Sequence, residues 1–187
     1  MESFLVSTGL VAIAEIGDKT QLLALCLAAR WRKPAPILLG ILAATLANHA
    51  LAAGVGVVAG DLLEGPWMKW VLGLTFLAFA AWALVPDAFD DDDCPPERTG
   101  RSVFVATAIA FFLVEIGDKT QVATVALAAR FQDVAWVTAG TTLGMMIANT
   151  PAVLIGDAAA TRLPLKLIRL LAAAAFAAVG VWILIAG

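Results

Sequence analysis

Apolar residues along this chain gather into six long runs, at about 3–29, 35–60, 67–86, 102–129, 134–156 and 165–186. Each is about as long as the roughly 20 residues that cross a hydrocarbon core as a helix. The breaks carry charged, Gly or Pro punctuation: Trp31-Arg32-Lys33-Pro34, Gly60-Asp61 with Gly65-Pro66, the stretch from Pro86 to Arg101, Gln132-Asp133, and Gly156-Asp157 with Arg162 and Pro164. Such residues end helices. The second, third, fifth and sixth runs are plainly apolar, whereas the first and fourth hold charges near their middle. The pattern predicts an all-α integral membrane protein with six transmembrane helices.

Composition agrees. The 187 residues are 61% hydrophobic and 14% charged, against about 45–50% and 25% in a soluble domain. Mean hydropathy is +0.92. So short a chain has too little interior to hide that much apolar surface from water. The net charge of −3 and pI near 5.0 argue against a nucleic-acid partner. The start, Met-Glu-Ser-Phe, lacks the basic region of a signal peptide, so the first run reads as a true helix. Cys26 lies in an apolar run and Cys94 in a polar loop, which predicts no disulfide between them and no Cys-x-x-Cys metal site.

An internal repeat sets the architecture. Residues 14–30, AEIGDKTQLLALCLAAR, match residues 114–130, VEIGDKTQVATVALAAR, at eleven of 17 positions. Gly40 pairs with Gly140, Asn48 with Asn149, Gly60-Asp61 with Gly156-Asp157 and Trp82 with Trp182. Repeat 1 is 1–86, repeat 2 is 102–187, and 87–101 is an acidic linker. Three spans per half make the second copy insert upside down, an inverted repeat of the kind that places a transport site where the halves meet. Short-loop charges give the orientation. Arg30, Arg32, Lys33, Arg98, Arg101, Arg162, Lys166 and Arg169 fall on one side, Lys69 and Arg130 on the other. The linker is therefore expected in the cytoplasm and both termini outside.

The repeated Glu-Ile-Gly-Asp-Lys-Thr-Gln carries the chemistry. About eleven apolar residues precede Glu15, or about 16 Å of helix, half of a roughly 30 Å core. Glu15, Asp18, Glu115 and Asp118 are thus expected near mid-membrane, where each charge costs at least about 2.5–3.5 kcal/mol unless paired. Glu15 and Asp18 share a helix face at i, i+3, and Lys19 can pair with Glu15 at i+4. Gly17 and Gly117 allow the helix to open. Thr20, Gln21, Thr120 and Gln121 add neutral oxygens, and Lys119 repeats Lys19. Such hard oxygen sets suit Mn2+, Ca2+ or Mg2+. Four carboxylates and two ammonium groups sum to −2, which one divalent cation or two protons neutralise. Crowded carboxylates in low dielectric take up protons more readily, so the site reads as cation-binding and proton-exchanging.

Weaker candidates surround it. Asn48 and Asn149 offer amide oxygens or interhelical hydrogen bonds. His49, whose repeat partner is Thr150, reads as a buried histidine satisfied by a neighbour rather than a proton gate. Met145 and Met146 read as core filler. Gly40-x-x-x-Ala44 and Gly140-x-x-x-Gly144 permit close helix approach. Asp90–Asp93 with Asp87 reads as a solvated linker. Ser3, Ser7 and Ser102 sit near span ends, so an intramembrane enzyme has no placed nucleophile, and the chain is not expected to be one. A divalent-cation channel and an exporter of small cationic organic molecules are the alternatives; the motif lysines oppose the latter.

The doubled Glu-φ-Gly-Asp-Lys/Arg-Thr/Ser motif in six spans with an acidic central loop resembles one family across the whole chain. It is similar to the membrane cation/proton exchangers that include Golgi and chloroplast manganese/calcium transporters and bacterial manganese exporters. The resemblance implies that the motif acids, Glu15, Asp18, Glu115 and Asp118, bind the cation and exchange protons, with Lys19, Thr20, Lys119 and Thr120 completing the two motif copies. It further implies a bacterial inner-membrane exporter of Mn2+, with Ca2+ second, driven by inward protons. The ions are cargo, no resident cofactor is expected, the lipid bilayer is the surroundings, and a homo-oligomer is compatible.

Overall fold

A computed structural model describes residues 1–62, 65–86, 94, 102–155 and 164–186. All regular structure among them is helical. In chain order the elements are α1 (Glu2–Ala14), α2 (Lys19–Trp31), α3 (Pro34–Leu62), α4 (Met68–Ala83), α5 (Val103–Glu115), α6 (Lys119–Phe131), α7 (Val134–Ile155) and α8 (Leu165–Ala186). The first and fourth apolar runs are therefore each two helices. The Asp87 and Asp90–Asp93 run, Arg98, Arg101, Gly156, Asp157 and Arg162 lie outside the described residues.

Both breaks fall inside the repeated motif. Gly17 and Gly117 take φ of +84° and +76°, a left-handed conformation that glycine adopts without steric cost. Asp18 and Asp118 then run extended and cap α2 and α6. Each glycine N–H, left without a helical partner, donates to the side chain of the glutamine four residues on, at 2.8 Å for Gln21 and 2.7 Å for Gln121. Both downstream helices end on a left-handed residue, Arg32 or Gln132, which turns the chain into the next helix.

The long helix of each half lies along the broken helix of the other. Gly40 of α3 meets Phe104 and Thr107 of α5, while Gly56 and Gly60 meet Val125, Ala128 and Ala129 of α6. Gly140 and Gly144 of α7 meet Phe4, Ser7, Thr8 and Val11 of α1, and Gln21 of α2 donates to the carbonyl of Ala148. Each long helix thus runs parallel to the broken pair and bridges its gap. Helices α4 and α8 cross antiparallel at Gly73 and Gly180, with the rings of Phe76, Phe79 and Phe176 packed edge-on and tilted between them.

The polarity is turned outward-apolar. Glu15, Asp18, Asn48, His49, Glu115, Asp118 and several threonines are buried, while Leu39, Leu46, Val55, Trp70, Leu74, Ile147, Leu154 and Leu171 are exposed. A soluble surface does not combine a charged interior with so much exposed apolar area. Pro34–Leu62 and Leu165–Ile185 are long and apolar enough to cross a membrane, and α1, α4 and α5 are shorter apolar helices.

The cysteine expectation is corrected. Cys26 of α2 and Cys94 of the linker are joined as a disulfide, with Cα atoms 6.2 Å apart, and Arg30 donates to the Cys94 carbonyl at 3.2 Å. Cys94 thus lies against the later turns of α2, despite a separation of 68 residues from Cys26.

Candidate cation site

The two breaks bring four strands of chemistry to one buried layer: the C-terminal ends of α1 and α5 and the N-terminal ends of α2 and α6. Helix N-termini carry partial positive charge, which favours carboxylates placed there. Glu15, Asp18 and Asp118 each offer an oxygen within 4.8 Å of the others, and all three are buried. Glu15 accepts a hydrogen bond from Thr20 on one oxygen and from Thr120 of the other repeat on the second.

The lysines cross between the repeats. Lys19 Nζ lies 3.1 Å from Asp118 Oδ1, and Lys119 Nζ lies 3.5 Å from Asp18 Oδ1. This corrects the expected Lys19–Glu15 pair. That pair needs an unbroken helix turn, and the chain is not helical between Glu15 and Asp18. For the same reason Glu15 and Asp18 do not share a helix face; the turn at Gly17 folds them together instead.

Glu115 stands outside the three-carboxylate group. His49 Nε2 lies 2.6 Å from its Oε1, and Asn48 Nδ2 lies 3.4 Å from its Oε2. His49 is thus buried against a carboxylate, as a histidine with a neighbour was expected to be, but neither of its ring nitrogens makes a hydrogen bond. Asn48 also accepts from Gln121 at 3.1 Å and donates to the Phe112 carbonyl at 3.0 Å. Its repeat partner Asn149 turns away, donating to the carbonyl and the Sδ of Met145. Met145 is fully buried beside it. The close approaches expected at Gly40 and Gly140-x-x-x-Gly144 are both present.

A small cavity of about 20 Å³ lies beside this layer. It is lined by Ile16, Gly17, Asp18 and Lys119, by Phe79 and Trp82 near the end of α4, and by Arg169 and Phe176 of α8. On the opposite side of the layer, Gly56 and Gly60 press α3 onto α6. That α4 and α8 help to line this cavity was not read from the sequence.

Comparison with known proteins fits the geometry. The family model described as "Divalent cation/proton antiporter GDT1" matches residues 3–91 and 103–187. A Vibrio cholerae protein named "Putative manganese exporter" is 53% identical over 177 residues, 94% of this chain and 87% of the relative. GDT1-like protein 5 of Oryza sativa subsp. japonica is 26% identical over 98% of this chain and 94% of its own length. GDT1-like protein 4 of Oryza sativa subsp. indica is 26% identical over 87% of this chain and 66% of its own length. No solved structure matches the chain. With both motif copies inside the matched segments, the chain belongs to the GDT1 family of divalent cation/proton antiporters.

Proposed function

We propose that this protein exports Mn2+ from the cytoplasm in exchange for protons, by alternating access around Glu15, Asp18 and Asp118. The observation that carries the reading is the meeting of these three buried carboxylates at the two helix breaks, with both motif lysines paired across them. Carboxylates are hard ligands that suit Mn2+, Ca2+ and Mg2+. The relative named as a manganese exporter supports Mn2+ as the first choice, and Ca2+ stands second on ligand chemistry alone.

Charge gives the coupling. Glu15, Asp18, Glu115 and Asp118 with Lys19 and Lys119 sum to −2, so the layer is neutral with one divalent cation or with two protons. Either loaded form crosses an apolar barrier at lower cost than the empty, charged form. The layer therefore exchanges one load for the other instead of leaking.

The architecture follows as six spans in two inverted repeats, 1–86 and 102–187, joined by a cytoplasmic linker, 87–101. The parallel packing of α3 on α5–α6 and of α7 on α1–α2 supports it. With loops 1–2, 3–4 and 5–6 in the cytoplasm and both termini outside in this reading, the cavity beside Asp18 lies on the cytoplasmic side of the layer and the Gly56–Gly60 seam on the outer side. The exposed apolar surface then faces the lipid of the bacterial inner membrane. Mn2+ added to purified protein in weak buffer is expected to release protons. Binding with no proton release would sink the exchange mechanism.

A further inference from the structure

Ten of the twelve lysines and arginines lie in the repeated motif or on the loops read as cytoplasmic; the two left over are Lys69 and Arg130. They are distant in sequence, yet the structure brings both to one cavity of about 380 Å³, where the start of α4, the last turn of α6 and the end of α8 meet. The small cavity beside Asp18 takes the other ends of α4 and α8, so the two lie at opposite ends of that pair. Neither cation pairs with an acid among the described residues. Arg130 lies 5.3 Å over the ring of Trp182, and its Nε is buried without a hydrogen-bond partner. A buried guanidinium N–H left unmade is costly, so the cavity lacks an acceptor. Helix α4 begins there without a side-chain cap, and a helix start favours an anion.

We propose that this cavity binds the phosphodiester headgroup of an anionic phospholipid between Lys69 and Arg130. The guanidinium fork suits two phosphate oxygens, and the ammonium adds a second positive charge. The volume is within the roughly 300–1,000 Å³ of small-molecule sites. Met68, Leu72 and Ile183 supply an apolar wall beside the two cations, which a free phosphate would leave unused and a lipid would cover. Trp67 and Trp70 are exposed at the same end of α4, and such residues mark the membrane–water boundary where headgroups lie. Below them, Leu74 of α4 and Val181 of α8 are exposed and give the acyl chains an apolar surface. In the orientation proposed above this is the outer leaflet. A headgroup seated there would tie α6, which starts at Asp118, to the α4–α8 pair. The proposal needs the chain to be embedded in a membrane but does not depend on the exchange mechanism.

The test is native mass spectrometry of the purified full-length protein, titrated separately with short-chain phosphatidylglycerol, phosphatidylcholine of the same chains, and inorganic phosphate. Phosphatidylglycerol is expected to bind about tenfold more tightly than phosphatidylcholine, whose quaternary ammonium the two cations repel. Lys69→Gln should weaken phosphatidylglycerol by about fivefold, the worth of one basic residue beside anionic lipid. Arg130→Gln should weaken it at least as much, and Arg130→Lys, which keeps the charge and loses the fork, should recover part of the loss. Lys69→Gln carries the test if the Arg130 variants do not fold. Lys33→Gln, at an exposed cation before α3, should leave the affinity unchanged. Equal binding of the two lipids, or equal weakening by Lys33→Gln and Lys69→Gln, would overturn the site. Inorganic phosphate binding as tightly as phosphatidylglycerol, with the same loss in Lys69→Gln, would overturn the lipid as its source.

Discussion

Lys19 is the most informative single side chain to alter, because its sign of effect separates two roles. It lies 3.1 Å from Asp118 and is 30% exposed, while Asp118 is 2% exposed. At an effective dielectric of about 20 the bare attraction at that distance is about 5 kcal/mol. Partial solvent screening and the entropy of holding a long side chain reduce this to about 1–2 kcal/mol. A cation that takes Asp118 as a ligand must displace the ammonium and then sit beside it. Lys19→Gln removes this tethered competitor, so Mn2+ should bind about 5- to 30-fold more tightly, the same energy expressed as affinity. Asp118→Asn should act in the opposite direction, removing a ligand and weakening Mn2+ by a similar factor or more. Both follow from Mn2+ titrations of detergent-purified protein, with circular dichroism confirming that helix content is kept. If Lys19→Gln weakened Mn2+ as Asp118→Asn does, the lysine would be supporting the ion's site, and the competition argued from the crossing pairs would be wrong.

Two other expectations follow from the packing. At Gly56 an added Cβ would stand 2.8 Å from the Ala128 Cβ, so Gly56→Ala should force α3 and α6 apart. Overpacking of this kind costs about 1–3 kcal/mol, and thermal melts should show lower stability with slower Mn2+ export; an unchanged melt and rate would mean that the seam is not closed as described. Thr120→Val removes the hydroxyl that the second repeat donates to Glu15. A hydrogen bond to a charged group contributes about 1.5–3 kcal/mol, so the KM for Mn2+ should change by at least tenfold in transport assays, and an unaltered KM would separate Thr120 from the site.

Much of this was legible in the sequence because the signals were local or repeated. Mid-run charges marked Glu15, Asp18, Glu115 and Asp118, and the offset of 100 residues tied the two copies together. Gly17 was readable as a break because glycine takes a positive φ without steric cost, which lets a helix be interrupted inside an apolar run. The partners of the charged side chains were not legible. Helical spacing assigned Lys19 to Glu15, but the break removes the helical turn, and how the two half-helices cross sends Lys19 to Asp118. Nor does local spacing report that Cys94 is joined to Cys26. The unequal fates of Glu15 and Glu115 did leave a trace, the mismatch of His49 with Thr150 in an otherwise well-matched pair of segments. That mismatch acquires meaning only once α3 is known to lie along α5 and bring His49 onto Glu115.

The central claim is coupled exchange through the Glu15 cluster, and one measurement meets it directly. Purified protein in proteoliposomes, with a pH gradient imposed and Mn2+ and internal pH followed together, should move Mn2+ against the protons. Dissipating the gradient should stop net movement, and Glu15→Gln should abolish exchange while the protein still inserts. Mn2+ flux without counter-movement of protons, or full exchange in Glu15→Gln, would contradict the account.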